Sequence, residues 1–187
     1  MFHFLRSNKN YEPLSYELRK YFENNYLWLI QEFPTPEIEN RRVLTPTIQD
    51  FPITWDRSQE NAIESLHIIC NNMQIEPAEI EIDFYTNSIK EINMGTSTLF
   101  LQPDPDYPEA AGLYHPEKVN GKFRISLDEA LLQMPDHLIA TIAHELAHVK
   151  LLGENKLEEN DEMLTDFATV FFGLGIFNAN AAFQFYN

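Results

Sequence analysis

The sequence predicts an α+β fold in which a small, mostly antiparallel sheet packs on a long apolar helix and on a second helix that follows it. Three observations support this prediction. Residues 79–85 alternate apolar and acidic side chains, which is typical of a half-buried strand. Asn120-Gly121 separates two strand-like runs and indicates an antiparallel hairpin. Residues 135–152 then carry apolar side chains at helical spacing.

The first 55 residues are predicted to form a helix and a proline-rich strap. Apolar side chains recur at helical spacing between Pro13 and Phe33, and Pro34 ends that pattern. From there to Asp56 the chain holds four prolines and little periodicity, which indicates an extended segment lying over the body of the domain. We favour a plain surface connection for the strap over a segment that borders a substrate cleft.

A second helix is predicted from about Asp56 or Ser58 to Asn72, because apolar side chains again recur at helical spacing. Its inward-facing positions are Ala62, Leu66, Ile69 and Met73. Cys70 lies in the same apolar pattern. We interpret it as a buried small hydrophobic residue rather than a reactive thiol.

Four strands are expected between this helix and the long apolar one. They span residues 79–85, 98–102, 111–115 and 122–127. Three prolines mark a loop between the second strand and the third. The last two strands flank Asn120-Gly121 and form the predicted hairpin, and a short helical turn over 127–134 leads into the long helix.

The long helix is predicted to begin at Pro135 and Asp136, residue types that suit a first helical turn, and to end at Gly153. Its apolar positions are Leu138, Ile139, Ile142, Leu146, Val149 and Leu152. A helix this apolar is expected to be buried, so its polar side chains should point into the protein or into a cleft.

Two histidines and a glutamate on this helix give the strongest chemical signal in the sequence. His144 and His148 are four residues apart and therefore lie on one face, where two imidazoles can bind a single zinc ion. Glu145 lies beside that face, where a carboxylate can deprotonate water that the metal activates. The alternative is a helix with two ordinary surface histidines, and the apolar character of the helix argues against it.

A catalytic zinc site needs a third protein ligand, and no histidine follows His148. The candidates are therefore carboxylates, namely Glu154, Glu158, Glu159, Asp161, Glu162 and Asp166. A further helix is predicted over residues 160–172, where the apolar positions are Met163, Leu164, Phe167, Val170 and Phe171.

Glu162 and Asp166 lie four residues apart, beside this apolar stripe. We predict that Glu162 binds the metal and that Asp166 accepts a hydrogen bond from a ligand imidazole. Two alternatives stay open: Asp166 could be the ligand instead, or both side chains could belong to a solvated acidic face.

Length and composition fit one domain over residues 1–187, with residues 1–55 as the N-terminal helix and strap and 56–187 as the core. The formal charge of −16 repels phosphate backbones, so no nucleic-acid partner is expected. No segment reaches the length of a membrane span or resembles a signal peptide. We therefore expect no membrane partner and a cytoplasmic location.

Residues 111–175 resemble the catalytic core of a zincin metallopeptidase of the gluzincin type, in the compact form called minigluzincin. The resemblance rests on the His-Glu-x-x-His pattern at 144–148 and on Glu162 followed four residues later by Asp166, as in thermolysin-like enzymes. The order of strands, hairpin and two helices is also similar to that of ImmA/IrrE-like proteases, whose second helix carries a Phe-Ala pair, here Phe167-Ala168.

The resemblance implies a zincin-like fold and a zinc-dependent peptidase that acts on a peptide or protein substrate. It implies that Zn²⁺ is held by His144, His148 and Glu162. Glu145 would then act as general base, and Asp166 would support a ligand histidine.

Contacts to the substrate are expected from the strands that precede the active-site helix. Tyr114 or His115 is a candidate donor to the oxyanion or to the substrate. An exposed strand edge, at 111–115 or at 98–102, is expected to bind the substrate backbone.

Two other functions stay open. One is a zinc-containing regulatory or binding module that acts on a single protein partner or is not catalytic. The other is a structural zinc ion that pins two helices together, although a purely structural site has no use for Glu145. The aromatic residues that follow Gly173 and Gly175 are expected to pack on the domain, to contact a partner or to cover the cleft.

Overall fold

In a computed structural model, the chain divides between Pro36 and Glu37 into two units. The structure describes residues 13–34, 41–86, 90–93, 98–101 and 111–182. The second unit contains the described part of the predicted strap as well as the predicted core. A single domain over residues 1–187 stays a prediction.

The described part of the first unit is one helix, α1 (Tyr16–Glu32). It begins where the hydroxyl of Ser15 accepts a hydrogen bond from the backbone N–H of Leu18. It ends shortly before Pro34, which cannot continue a helix. The helix predicted between residues 13 and 33 is therefore confirmed.

Residues 41–58 contain no helix or strand, as expected for a strap, although residues 46–50 bend into a turn and are not extended. The strap is held to the rest of the second unit by a backbone hydrogen bond from Leu44 N–H to the carbonyl of Gly173, 2.8 Å long. The part of the predicted strap at residues 35–40 lies outside the described residues.

Helix α2 (Gln59–Met73) follows the strap. It begins at Ser58, whose hydroxyl accepts from the N–H of Asn61, and it ends at Gln74 in the left-handed conformation. All four predicted inward positions are buried. Cys70 is also fully buried, and burial raises the pKa of its thiol to about 12, so the prediction of a buried, unreactive cysteine is confirmed.

The main sheet has three strands: β1 (Ile80–Tyr85), β4 (Gly112–Val119) and β5 (Lys122–Asp128). Their order across the sheet is β1-β5-β4. Strands β4 and β5 form the predicted hairpin around Asn120-Gly121, and β1 runs parallel to β5. A separate antiparallel pair consists of β2 (Lys90–Asn93), which was not predicted, and β3 (Thr98–Leu101). Among the described residues, two of the three strand pairings are antiparallel, and the three-stranded sheet itself is mixed. The predicted proline loop after β3 lies outside the described residues.

Helix α3 (Pro135–His148) packs on β4 and β5 and also contacts α2 and the two helices that follow it. The helical turn expected before it is a 3₁₀ turn, Glu129–Gln133, capped by Asp128. The α-helix stops earlier than predicted, because the last five residues of the predicted helix, Val149–Gly153, form a π-helical turn. Its predicted end at Gly153 is the end of that turn.

Helix α4 (Glu162–Phe171) confirms the predicted second helix, but its buried face differs from the predicted stripe. Met163 and Val170 are 47% and 51% exposed, so their assignment to the buried stripe was wrong. The buried positions are Leu164, Thr165, Ala168, Thr169 and Phe171. The pattern was misjudged because two threonines, counted as polar, take inward positions.

Helix α5 (Gly175–Ala182) follows a sharp turn at Gly173, so the predicted break after α4 is confirmed. Phe177 is fully buried and packs edge-on against Phe51, with ring centroids 5.2 Å apart. The aromatic residues after position 182 lie outside the described residues. None of the helices in the described part of the chain combines the length and apolarity needed to span a bilayer.

Candidate metal centre

Helices α3 and α4 bring three possible metal ligands together. His144 Nε2 lies 3.1 Å from His148 Nε2 and 3.1 Å from Glu162 Oε2, and His148 Nε2 lies 3.7 Å from the same carboxylate oxygen. Zinc bonds of about 2.0–2.1 Å in tetrahedral geometry place neighbouring ligand atoms roughly 3.3 Å apart. The three side chains therefore already have the spacing that a single zinc ion requires. In the described part of the chain, this is the group of histidines and carboxylates that could hold a metal ion.

Burial is uneven across this group. The side chain of His148 is only 8% exposed and that of His144 26% exposed, whereas that of Glu162 is 64% exposed. The group is thus closed on the side of α3 and open to solvent on the side of α4.

The outer ring nitrogen of His144 has a carboxylate partner. Its Nδ1 lies 2.9 Å from Asp166 Oδ1. Because an ionised carboxylate only accepts hydrogen bonds, the shared proton belongs on Nδ1, and Nε2 carries a lone pair whenever the ring is neutral. Asp166 lies on the side of His144 that faces away from Glu162.

The outer nitrogen of His148 faces a buried hydroxyl. Its Nδ1 lies 3.5 Å from Thr165 Oγ1, and that hydroxyl donates its own proton to the carbonyl of Asp161, 3.0 Å away. The hydroxyl oxygen is then left to accept from Nδ1–H, which again leaves a lone pair on Nε2. When both rings are neutral, two imidazole lone pairs and a carboxylate oxygen converge, an arrangement that a bound cation would stabilise.

Glu162 is the first residue of α4, and both of its carboxylate oxygens have partners. Oε1 accepts a hydrogen bond of 2.6 Å from Asn160 Nδ2, while Oε2 faces the two histidines. Asp161, the residue between them, caps α4 by accepting from the N–H of Leu164. The turn before α4 thus fixes both the start of the helix and the direction of the Glu162 carboxylate.

Glu145 is buried at 5% exposure beside these ligands. Burial raises the pKa of its carboxyl group to about 7; the charge of His144 opposes this rise, the charge of Glu162 adds to it, and a hydrogen bond from the backbone N–H of Tyr114 opposes it. A carboxyl group with a pKa near neutrality can both take up and release a proton.

The two histidines have opposite pKa shifts. Burial acts to lower the pKa of His144, but its hydrogen bond to Asp166 and the negative charges of Glu145, Asp166 and Glu162 outweigh burial and raise it. Burial, together with the charge of His144, lowers the pKa of His148 to about 4. His148 is therefore neutral at pH 7, with its Nε2 lone pair available to a metal.

The structure brings Tyr114 to the site and leaves His115 away from it. The Tyr114 ring stacks on the ring of His148, with centroids 5.8 Å apart, and its hydroxyl lies close to Gly153. His115 points to the opposite face of the sheet, where its Nε2 lies 2.8 Å from Ser126 Oγ. Of the two candidate donors, Tyr114 alone therefore keeps a place near the ligands.

Three residues at the site were not identified from the sequence: Asn160, Thr165 and Gly112. Of these, Gly112 lies in close contact with Glu145. Helical spacing could have pointed to Thr165, because it lies four residues after Asp161 and three after Glu162. Nothing local in the sequence marks the other two.

Comparisons with protein-family profiles, with characterised proteins and with solved structures find no match to this chain. The assignment of a candidate metal centre therefore rests on the geometry of His144, His148 and Glu162.

Proposed function

We propose that this protein is a zinc-dependent peptidase that hydrolyses peptide bonds, with Glu145 as general base. The observation that carries the proposal is the position of Glu145: a buried carboxyl group, with its pKa raised to about 7, lies beside three converging metal ligands. A metal site that only held two helices together would gain nothing from an acid–base group of this kind.

The ligands proposed to hold zinc are His144, His148 and Glu162. Zinc bound there would supply Lewis-acid chemistry, polarising the substrate carbonyl and lowering the pKa of water. Asp166 and Thr165 hold the imidazole rings so that both Nε2 atoms face inward.

Glu145 moves the proton in the proposed reaction. Its carboxylate takes a proton from the attacking water, whose oxygen bonds to the carbonyl carbon of the peptide. When the bond between that carbon and the peptide nitrogen breaks, Glu145 delivers the proton to the leaving amine. One water molecule is consumed, and an acid and an amine are formed.

The substrate is proposed to lie along strand β4. This strand is at the edge of the three-stranded sheet, and its Gly112 lies against the Glu145 side chain. An extended peptide paired with this edge would pass beside the base. The structure thus favours β4 over the strand at 98–101, the other edge considered from the sequence.

Metal analysis tests the first half of the proposal. We expect about one zinc ion per chain in the purified protein, and loss of that ion in His148→Ala and Glu162→Gln. Glu159→Gln is the matched control, because it removes an exposed carboxylate close in sequence that is outside the ligand group. Zinc retention equal in Glu162→Gln and Glu159→Gln would rule out Glu162 as a ligand.

Digestion of a peptide library, followed by mass spectrometry, tests the second half. We expect defined cleavage products with the wild-type protein and none with Glu145→Gln, which should still bind zinc. Cleavage by Glu145→Gln at the wild-type rate would refute the role of Glu145. Bound zinc without any library product, together with one partner protein recovered intact, would instead favour a binding module.

A further inference from the structure

Strand β4 makes its closest approach to α3 at Gly112. Gly112 pairs with the buried Leu127 of β5, so a side chain at position 112 would face α3. A Cβ atom added there would lie 2.5 Å from Thr141 Cγ2, 2.8 Å from Glu145 Oε1 and 3.0 Å from Glu145 Cγ. Real Cβ atoms do not come this close to other heavy atoms, so both side chains, or the strand itself, would have to move.

The backbone itself does not require glycine at this position. Among the described glycines, the left-handed conformation occurs at Gly121 and Gly173 and not at Gly112. The absent side chain at position 112 is therefore explained by space rather than by conformational freedom.

The same strand also affects the charge of the Glu145 carboxylate. The backbone N–H of Tyr114, two residues along β4, acts to lower the pKa of that carboxyl group. Residues two apart in a strand point to the same face, so the gap at Gly112 and the donor at Tyr114 lie next to each other along β4. Thr141 and Glu145, four residues apart on α3, face this pair from the helix.

We propose that Gly112 is a positioning residue for Glu145: the absent side chain leaves the space in which the Glu145 carboxylate lies, and in that position the carboxylate accepts a hydrogen bond from the backbone N–H of Tyr114 at the edge of the sheet. The inference rests on the proposed function, in which Glu145 is the base. Of the two side chains that an added Cβ would meet, Glu145 is longer and more flexible than Thr141. Moving the Glu145 carboxylate therefore costs less free energy than moving the strand. Displacing it leaves the three metal ligands untouched.

The test is Gly112→Ala, measured in three ways. We expect kcat on a library-derived peptide to fall roughly 100-fold, as for a catalytic group displaced by about 1 Å, with KM and the zinc dissociation constant unchanged. We expect the unfolding midpoint to change little. In metal-free protein, the amide proton of Tyr114 should lose the downfield NMR shift of a hydrogen bond to a carboxylate, and should resemble that amide in Glu145→Ala.

Two controls separate positioning from packing. Gly175→Ala is the matched glycine control, because the atoms nearest to a Cβ there belong to the Val170 side chain and lie no closer than 3.2 Å. Thr141→Ala removes the nearest obstructing atom. If Gly112→Ala regains wild-type kcat and the wild-type Tyr114 signal in the Thr141→Ala background, then Thr141 packing explains the glycine and the proposal is overturned.

The NMR measurement stands even if no peptidase activity is found. Absence of activity in the wild-type protein would count against the proposed function. A Tyr114 amide shift that is the same in wild-type protein, Gly112→Ala and Glu145→Ala would count against the positioning role of Gly112. A downfield shift that is present in wild-type protein and lost in both Gly112→Ala and Glu145→Ala would support it.

Discussion

Glu145 is a residue whose proposed function and whose contribution to stability oppose each other. It is buried beside two histidines and a second carboxylate, and it has one backbone donor. Burying a carboxyl group favours its protonated form, which raises its pKa and makes the ionised form costly. Active sites commonly keep such costly groups because the chemistry needs them.

We expect Glu145→Gln to stabilise the metal-free protein at pH 8 and to have little effect at pH 5. Because the folded-state pKa is raised from 4.5 to about 7, the folded protein keeps a proton that the unfolded chain releases. Stability is therefore fully present below about pH 4.5 and is lost as the pH rises through 7. The gain at pH 8 should approach roughly 3 kcal/mol.

Urea unfolding of chelator-treated protein at the two pH values measures this effect. Glu159→Gln, at an exposed carboxylate, is the matched control for the change from carboxylate to amide. An equal effect of Glu145→Gln at pH 5 and pH 8 would contradict the raised pKa of Glu145.

The residues behind the ligands should control zinc affinity. We expect Thr165→Val to weaken zinc binding by about 10–100-fold, because valine keeps the shape of threonine but gives His148 Nδ1 no acceptor. Competition with a zinc chelator measures the dissociation constant.

The matched control for Thr165→Val is Thr169→Val, one turn further along α4. Thr169 is buried like Thr165 but bonds to Asp166 O and Asn178 rather than to a histidine. Zinc affinity should be unchanged in this control. If both valine variants lose affinity equally, general damage to α4 is the cause.

For individual residues, the sequence predicted those members of the candidate metal centre that are spaced four apart along one helix. His144 and His148 lie four apart on α3, and Glu162 and Asp166 lie four apart on α4. It could not predict Gly112 or Asn160, since their importance depends on which segments approach each other. His115 was a candidate because it precedes α3 in the chain, but the alternation of a strand turns it to the other face of the sheet.

Helix α4 was recognised from the sequence, but its buried face was misjudged. The buried face includes Thr165 and Thr169, whose hydroxyls donate to backbone carbonyls of the same helix. A threonine satisfied in this way can be buried at low cost, so polarity alone does not predict its orientation. The parallel pairing of β1 with β5 was missed for a related reason, because no local signal marks a pairing across so long a connection.

The revised face of α4 leads to a stability prediction. We expect Leu164→Ala, at a buried position, to lower the free energy of unfolding by about 2–4 kcal/mol. Met163→Ala, at the neighbouring exposed position, should stay within about 0.5 kcal/mol of wild type. Denaturant unfolding measures both values. Equal losses of unfolding free energy in the two variants would support the buried stripe predicted from the sequence, which includes Met163.

For the second unit of the molecule, the question is what holds the strap to the helices. Arg41 donates to the carbonyl of Phe171, with its guanidinium 4.0 Å from the centre of the Phe171 ring, and Leu44 donates to the carbonyl of Gly173. The strap is thus attached where α4 gives way to α5. Sequence periodicity predicted an extended segment but could not identify this junction, because backbone hydrogen bonds leave no residue pattern.

Gly173→Ala should loosen this attachment. Gly173 has a φ of +85°, and a Cβ there would overlap the backbone carbonyl oxygen of Arg42, so alanine is opposed both by its conformation and by the strap. Gly121→Ala is a matched control, because Gly121 has a φ of +81° but no neighbouring atom within 4 Å of an added Cβ. Both variants carry the conformational cost, roughly 1 kcal/mol, and only the first carries the cost of displacing the strap.

We therefore expect Gly173→Ala to destabilise the protein by about 1–3 kcal/mol more than Gly121→Ala, measured by denaturant unfolding. Amide hydrogen exchange should show faster exchange at Leu44 in Gly173→Ala alone, since its N–H bonds to the carbonyl of residue 173. If the two variants lose equal stability and leave Leu44 equally protected, the strap yields to the added methyl group without cost, and its attachment at the α4–α5 junction contributes little to the stability of this unit.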